Sequence, residues 1–194
     1  MAYTHDPLDI TPTMTANNAP SPNVASASSE YGSQYSAWYA FDDYQPSGIP
    51  GDCWVTSSQT TTGWLKFDFG SGNTKVVKSY KITTRAYQGG TDAKDSAPKT
   101  WTLQGSNNNS DWTTVDTVTN YADWTTYNET KEFICDAQGS YRYYMLNVTA
   151  NNGSTNYVCI GELELFSPPD AAVWLRRITI NRDKSPRIWK RKEI

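Results

Sequence analysis

Trp101-Thr102-Leu103-Gln104-Gly105-Ser106-Asn107-Asn108-Asn109-Ser110-Asp111-Trp112 is a strand that must turn. Thr102 and Leu103 alternate polar and apolar, as in a half-buried strand. Gly105 to Asn109 then supplies residues that tolerate left-handed backbone angles and bond their own main chain. After Trp112 a new alternating run begins, Thr113-Thr114-Val115. The stretch predicts a hairpin with an indole on each side.

The neighbouring sequence repeats the same grammar in both directions. Pro98-Lys99-Thr100 leads into the hairpin from a long polar loop, Ala86 to Ala97. Before that loop, Val76 to Arg85 alternates with Tyr80 and Ile82 on one side. Gly63-Trp64-Leu65-Lys66-Phe67-Asp68-Phe69-Gly70 puts Leu65, Phe67 and Phe69 on one face. Cys53-Trp54-Val55-Thr56-Ser57 reads as a strand after a loop from Tyr44 to Asp52 that Pro46, Gly48, Pro50 and Gly51 break up. Downstream come Thr130 to Ile134, Tyr141 to Val148, a turn at Asn151-Asn152-Gly153-Ser154, and Val158 to Phe166. About eight short strands with turn signals between them and no helical period predict an all-β, antiparallel β-sandwich. Residues 1–22, with Pro7, Pro12, Pro20 and Pro22, read as an arm without regular structure. Residues 23–167 form the domain, and 168–194 are a tail.

The totals fit that reading. The 194 residues suit one domain with tails. Eight Trp and 13 Tyr, with Thr, Ser and Asn throughout, favour strands over helices. No apolar run is long enough to cross a membrane as a helix. The net charge of −3 divides unevenly: the tail carries +5 and the body −8. An acidic body is unsuited to phosphate backbones and anionic lipid, so neither nucleic acid nor membrane insertion is expected. It suits a divalent cation or a neutral ligand. Cys53, Cys135 and Cys159 lack the close spacing of a metal knuckle or redox motif, so one disulfide with a free thiol and no disulfide are both open. The N-terminus has no basic start followed by an apolar run and does not read as a secretory signal.

Six ordered motifs resemble the discoidin domains (coagulation factor 5/8 type C domains) and their bacterial relatives, the family 32 carbohydrate-binding modules. They are Ala27-Ser28-Ser29-Glu30, Ala37 to Asp43, Trp64 to Gly70, Leu103 to Trp112, Tyr141 to Leu146, and Ile160 to Phe166. The resemblance covers about residues 23–167. It implies a jelly-roll-like sandwich with function in the loops at one end.

Two sites follow as expectations. Hard cations take six or more oxygens, several of them main-chain carbonyls in a tight loop. The resemblance implies a structural calcium held by Asp42, Asp43, Glu162 and the carbonyls of Ala40 and Gly161. Asp43 stands where the family commonly has Gly. For a sugar, aromatic rings stack on the C–H face while planar polar groups bond the hydroxyls. Galactose-binding relatives often read Trp-His-Thr-x-aromatic, but this chain has Trp54-Val55-Thr56-Ser57-Ser58, so galactose binding by that arrangement is not expected. Arg85 ends its strand where relatives often place a sugar-contacting Arg. Trp38, Tyr87, Asp92, Asn151, Asn152 and Tyr157 complete the glycan candidates, and Tyr35, which like Trp38 precedes the calcium loop, could also serve. Trp54, Trp64, Trp101 and Trp112 are expected in the core.

No catalytic residue is expected. The sole histidine is His5, and no Ser or Cys has a base partner nearby. The sequence thus reads as a non-catalytic, lectin-like module for a cell-surface or polymeric glycan, in an extracellular or virion-surface setting. A homo-oligomer or larger assembly would supply several copies. The competing reading is a structural or protein-binding domain of a virion, tail fibre or other surface assembly.

Overall fold

The computed structural model describes residues 8–47, 51–86 and 94–168. Its strands are β1 (Leu8–Asp9), β2 (Val24–Ala27), β3 (Trp54–Val55), β4 (Gly63–Asp68), β5 (Lys75–Val76), β6 (Ser79–Thr83), β7 (Pro98–Ser106), β8 (Thr113–Val118), β9 (Thr130–Ile134), β10 (Ser140–Tyr141), β11 (Tyr143–Asn151), β12 (Cys159–Ile160) and β13 (Glu162–Ser167). A five-stranded sheet runs β2-β4-β11-β7-β8 and a four-stranded sheet β1-β13-β6-β9. Two short pairs, β10-β5 and β12-β3, complete the set. All of these pairings are antiparallel. This is the β-sandwich that the alternation predicts.

Period-two alternation decides what lies between the sheets. Leu65, Phe67, Trp101, Leu103, Tyr144, Leu146 and Val148 come from the five-stranded sheet, and Tyr80, Ile82, Leu163 and Leu165 from the other; all belong to one buried cluster. On β13 and β6, Leu163 pairs with Ile82 and Leu165 with Tyr80. The intervening Glu162, Glu164, Lys81 and Thr83 therefore fall on the outer face of the four-stranded sheet.

The β7–β8 hairpin forms as expected, but with two differences. Gly105 belongs to β7 rather than the turn, paired with Tyr144 and Thr113. Its lack of a side chain answers a close approach: a Cβ there would lie 2.1 Å from Tyr141 Cδ2. The turn itself is built by side chains. Ser106 Oγ accepts the N–H groups of Asn108 and Asn109, and Asn108 Oδ1 those of Ser110 and Asp111. Asn109 carries the positive φ of 62°. Gly105→Ala is expected to cost about 1–3 kcal/mol through displacement of the Tyr141 ring. Urea unfolding checks it, as a lower midpoint at unchanged slope.

The indoles also divide differently from the expectation. Trp54 and Trp101 are core residues, as is Trp124, whose Nε1–H donates to the Pro98 carbonyl at 2.7 Å. Trp64 and Trp112 are only half-buried. Trp64 lies on the outer face under the Lys66 ammonium, 4.9 Å from the ring centroid. Alternation puts Trp64 opposite in phase to Leu65, so packing on both sides is not available to it.

The arm expected over 1–22 is a correction for residues 8–22. Leu8 and Asp9 pair with Ser167 and Phe166 at the edge of the four-stranded sheet. Met14 is 1% exposed in the main core, and its N–H donates to the Phe41 carbonyl at 2.7 Å. The unsatisfied edge of β13 and a gap in the core give this proline-rich segment partners that its composition does not reveal. The expected tail lies outside the described residues apart from Pro168.

Candidate functional site

One end of the sandwich collects the charged and aromatic groups. The segment after a short 3-10 helix at Ala37–Ala40 crosses over the start of β13. Gly161 permits the approach, because a Cβ there would lie 2.4 Å from Pro46 Cγ. This cover buries Glu162, which alternation alone would leave in water; it is 6% exposed.

Asp42 and Glu162 meet beneath the cover. The Tyr44 N–H is shared between Asp42 Oδ1 at 2.9 Å and Glu162 Oε1 at 3.1 Å. The two carboxyl groups lie near enough to shift each other's ionisation. Among the described residues, Glu162 Oε2 is buried with no hydrogen-bond partner. Burial, with the charges of Asp42, Asp43 and Glu164, pushes the Glu162 carboxyl up to about 11. Burial also raises Asp42, against the lowering effects of Glu162 and of the Tyr44 N–H. Carboxyls driven this far towards their protonated forms are what a hard cation displaces protons from.

Asp52 is the acidic residue that sequence reading missed. It is buried, accepts the Ser47 N–H at 2.8 Å, and lies near enough to Asp42 to raise that carboxyl. The signal lay ten residues downstream of Asp42, across a proline-broken loop. Ala40 and Gly161 flank the acidic pair in sequence, and the Gly161 N–H is fixed on the Thr83 carbonyl at 2.8 Å.

Asp43 points elsewhere. Its φ of 56° is in the left-handed region, where the family's glycine would be unstrained. Its carboxylate accepts the Thr13 hydroxyl and groups with Asp9 and Glu164, with ligand atoms within 4.8 Å of one another. A cavity of about 180 Å³ beside it is lined by Asp43, Gln45, Pro46, Thr83, Thr130, Glu162 and Glu164.

The aromatic part lies around Arg85. This half-buried guanidinium donates to Cys159 Sγ at 3.5 Å and lies near enough to Cys53, Tyr35 and Tyr157 to influence their ionisation. Tyr31 is 48% exposed and meets Tyr35 and Tyr157 edge-on, with centroids 5.8 and 5.4 Å away. Of the loop-end residues expected to serve a glycan, Arg85, Tyr157 and Tyr35 are thus brought together; Tyr31 joins them without having been singled out. Burial raises the Tyr157 hydroxyl, with Tyr31 adding to the shift.

Asn151 and Asn152 serve the scaffold. Asn151 Nδ2 donates to the Ser154 and Tyr157 carbonyls at 2.8 and 2.7 Å, and its Oδ1 accepts the Gly153 N–H. Asn152 donates from its backbone to Ala97 and from Nδ2 to Lys94. They hold the last hairpin, and with it Tyr157, in position. Trp38 stands on the 3-10 helix, half-buried against the main core, with its ring tilted 30° against that of Tyr39 at a centroid distance of 3.8 Å. Tyr87 and Asp92 lie outside the described residues. No helix among the described residues is long and apolar enough to cross a membrane.

Comparison with known proteins agrees with this architecture. The model of the F5/8 type C domain family matches residues 24–163. No curated protein sequence matches the chain. Among solved structures, chitosan-binding module 1 from a chitosanase/glucanase of Paenibacillus sp. IK-5 is 21% identical with a TM-score of 0.56, covering 84% of this chain and 100% of its own. The family 32 module of NanJ from C. perfringens, solved with galactose, is 22% identical with a TM-score of 0.55, covering 75% and 93%. The family 32 module of EndoD from Streptococcus pneumoniae is 13% identical with a TM-score of 0.59, covering 83% and 100%. At these identities the likeness is one of fold.

Proposed function

The chain belongs to the F5/8 type C domain family, and from that membership we propose that it is a non-catalytic carbohydrate-binding module. It recognises a cell-surface or polymeric glycan at the loop end of the sandwich. The observation that carries this reading is the patch of Tyr31, Tyr35 and Tyr157 around Arg85. The exposed Tyr31 ring and the half-buried Tyr157, backed by the buried Tyr35, suit the C–H side of a pyranose, and a guanidinium forks across adjacent hydroxyls. The similar structures solved with galactose and as a chitosan-binding module support a sugar as the ligand class.

A calcium ion held by Asp42 and Glu162, with the carbonyls of Ala40 and Gly161 and with Asp52, pins the loop over β13. The buried, donorless Glu162 Oε2 supports it. A module of this kind works outside the cell or on a virion surface, where its glycans are. A shallow single site binds weakly, with Kd of order 0.1–1 mM, so useful binding comes from several copies in a larger assembly.

A glycan array with the protein displayed multivalently, run with calcium and with chelator, tests the reading. A confined set of hits is expected. Tyr31→Ala removes an exposed ring worth about 1 kcal/mol of ligand contact, so roughly fivefold weaker binding is expected. The melting temperature falls by only about 2–4 °C, from the lost edge-on contacts to Tyr35 and Tyr157. A blank array on folded protein sinks the glycan reading. Full binding by Tyr31→Ala moves the site to another loop.

A further inference from the structure

The sequence leaves the pairing of three cysteines open, and the fold separates them. Cys135 belongs to the main core, where its N–H donates to the Lys78 carbonyl. Cys53 and Cys159 lie together in a second, smaller buried cluster with Tyr35 and Val55, and Tyr157 packs against it. Cys159 stands opposite Val55 in the β12–β3 pair, and Cys53 is two residues before Val55, on the same face. Both are free thiols in this structure, near enough for each to shift the other's ionisation. Both are 1% exposed or less.

We propose that Cys53 and Cys159 are a disulfide-forming pair that fastens the entry to β3 to the last hairpin, beside Arg85 and Tyr157. The oxidant is a low-molecular-weight disulfide such as glutathione disulfide. A thiolate of one cysteine attacks a glutathione sulfur, and the glutathione S–S bond breaks. One glutathione leaves as thiolate and takes up a proton. The second protein thiol, deprotonated, then attacks the mixed disulfide and releases the other glutathione. Two protein thiols give one S–S bond, and glutathione disulfide gives two glutathiones. Because both sulfurs are sealed from solvent in the finished fold, exchange takes place during folding, before the cluster closes.

The bridge joins positions 106 apart, 53 and 159, and long loops are where a cross-link most restricts the unfolded chain. Its closure leaves Cys135 as a thiol and so accounts for the odd count.

The full chain, reduced and unfolded, is refolded in a glutathione redox buffer and in reducing buffer. Each sample is denatured, alkylated, digested and read by mass spectrometry. The expected result is loss of two hydrogens, a Cys53–Cys159 linked peptide, and alkylation at Cys135 alone. The oxidised sample is expected to melt roughly 5–15 °C higher than the reduced one. Cys135→Ala should retain both the link and the shift. Alkylation of all three cysteines after redox refolding, or a link through Cys135, overturns the pairing. Neither readout involves glycan, so a blank array leaves this test intact.

Discussion

Glu162→Gln is expected to raise the melting temperature of the chelated protein at pH 8 and to erase its response to calcium. The carboxyl has an ordinary value of 4.5 and is pushed up to about 11 by burial and by Asp42, Asp43 and Glu164. The folded, cation-free chain therefore keeps a proton that the unfolded chain sheds above about 4.5. The stability this group contributes is full below 4.5 and falls as pH rises towards 11. Gln keeps the shape and the Tyr44 contact without the ionisable group, so that decline disappears. Calcium binds the deprotonated form, and so opposes the decline in the wild type. At a hundredfold excess over Kd it adds about 2.7 kcal/mol, or roughly 5–11 °C for a chain of this size. The variant, lacking the anionic oxygens, loses that gain. Thermal melts at pH 5 and pH 8, with calcium and with chelator, separate the two effects. An undiminished calcium response in Glu162→Gln would falsify the cation assignment.

Tyr80→Phe is expected to destabilise the fold by about 3–5 kcal/mol. The Tyr80 hydroxyl is the hinge of a buried polar chain: Trp101 Nε1–H donates to it at 2.8 Å, and it donates to Asp116 Oδ2 at 2.6 Å. Tyr80 and Trp101 are fully buried, and Asp116 is 5% exposed. Burial raises the Asp116 carboxyl, and the Tyr80 hydrogen bond holds it down. Losing one oxygen atom leaves the indole N–H without its acceptor and takes one donor from the Asp116 carboxyl, which keeps the Thr117 N–H. An indole N–H left without an acceptor costs about 1–3 kcal/mol, and a hydrogen bond to a charged group is worth about 1.5–3. Urea unfolding at neutral pH reads the loss directly. A double-mutant cycle with Asp116→Asn then shows how much runs through the carboxylate. A loss under about 1 kcal/mol means the partners find other bonds.

That polar chain shows how far the sequence reaches. Trp101, Leu103, Tyr80 and Ile82 announce their faces by simple alternation, and each is in the core. Asp116 does not, because consecutive Val115 and Asp116 are both buried. The register shifts between Leu103 and Gln104, so the hairpin takes one extra residue on β8 and turns Asp116 inward. A bulge is set by what waits on the other sheet, here the Tyr80 hydroxyl, which no local pattern contains.

The candidate site divides in the same way. Asp42 and Glu162 were legible because family motifs mark both ends of the domain. Asp52 and Tyr31 were not, since each acquires its neighbours through a loop crossing or a strand pairing distant in sequence.

The sequence by itself determined the strands, their faces, the hairpin and the family, because side-chain alternation and turn chemistry act over a few residues. Only the tertiary structure decided that residues 8–22 complete the sheet edge and core. It alone decided that a loop buries Glu162 on an outward face, and that Cys53 meets Cys159 while Cys135 does not. These depend on contacts between segments 30 to 150 residues apart, whose closure rewards shape and charge matches that a one-dimensional pattern does not record.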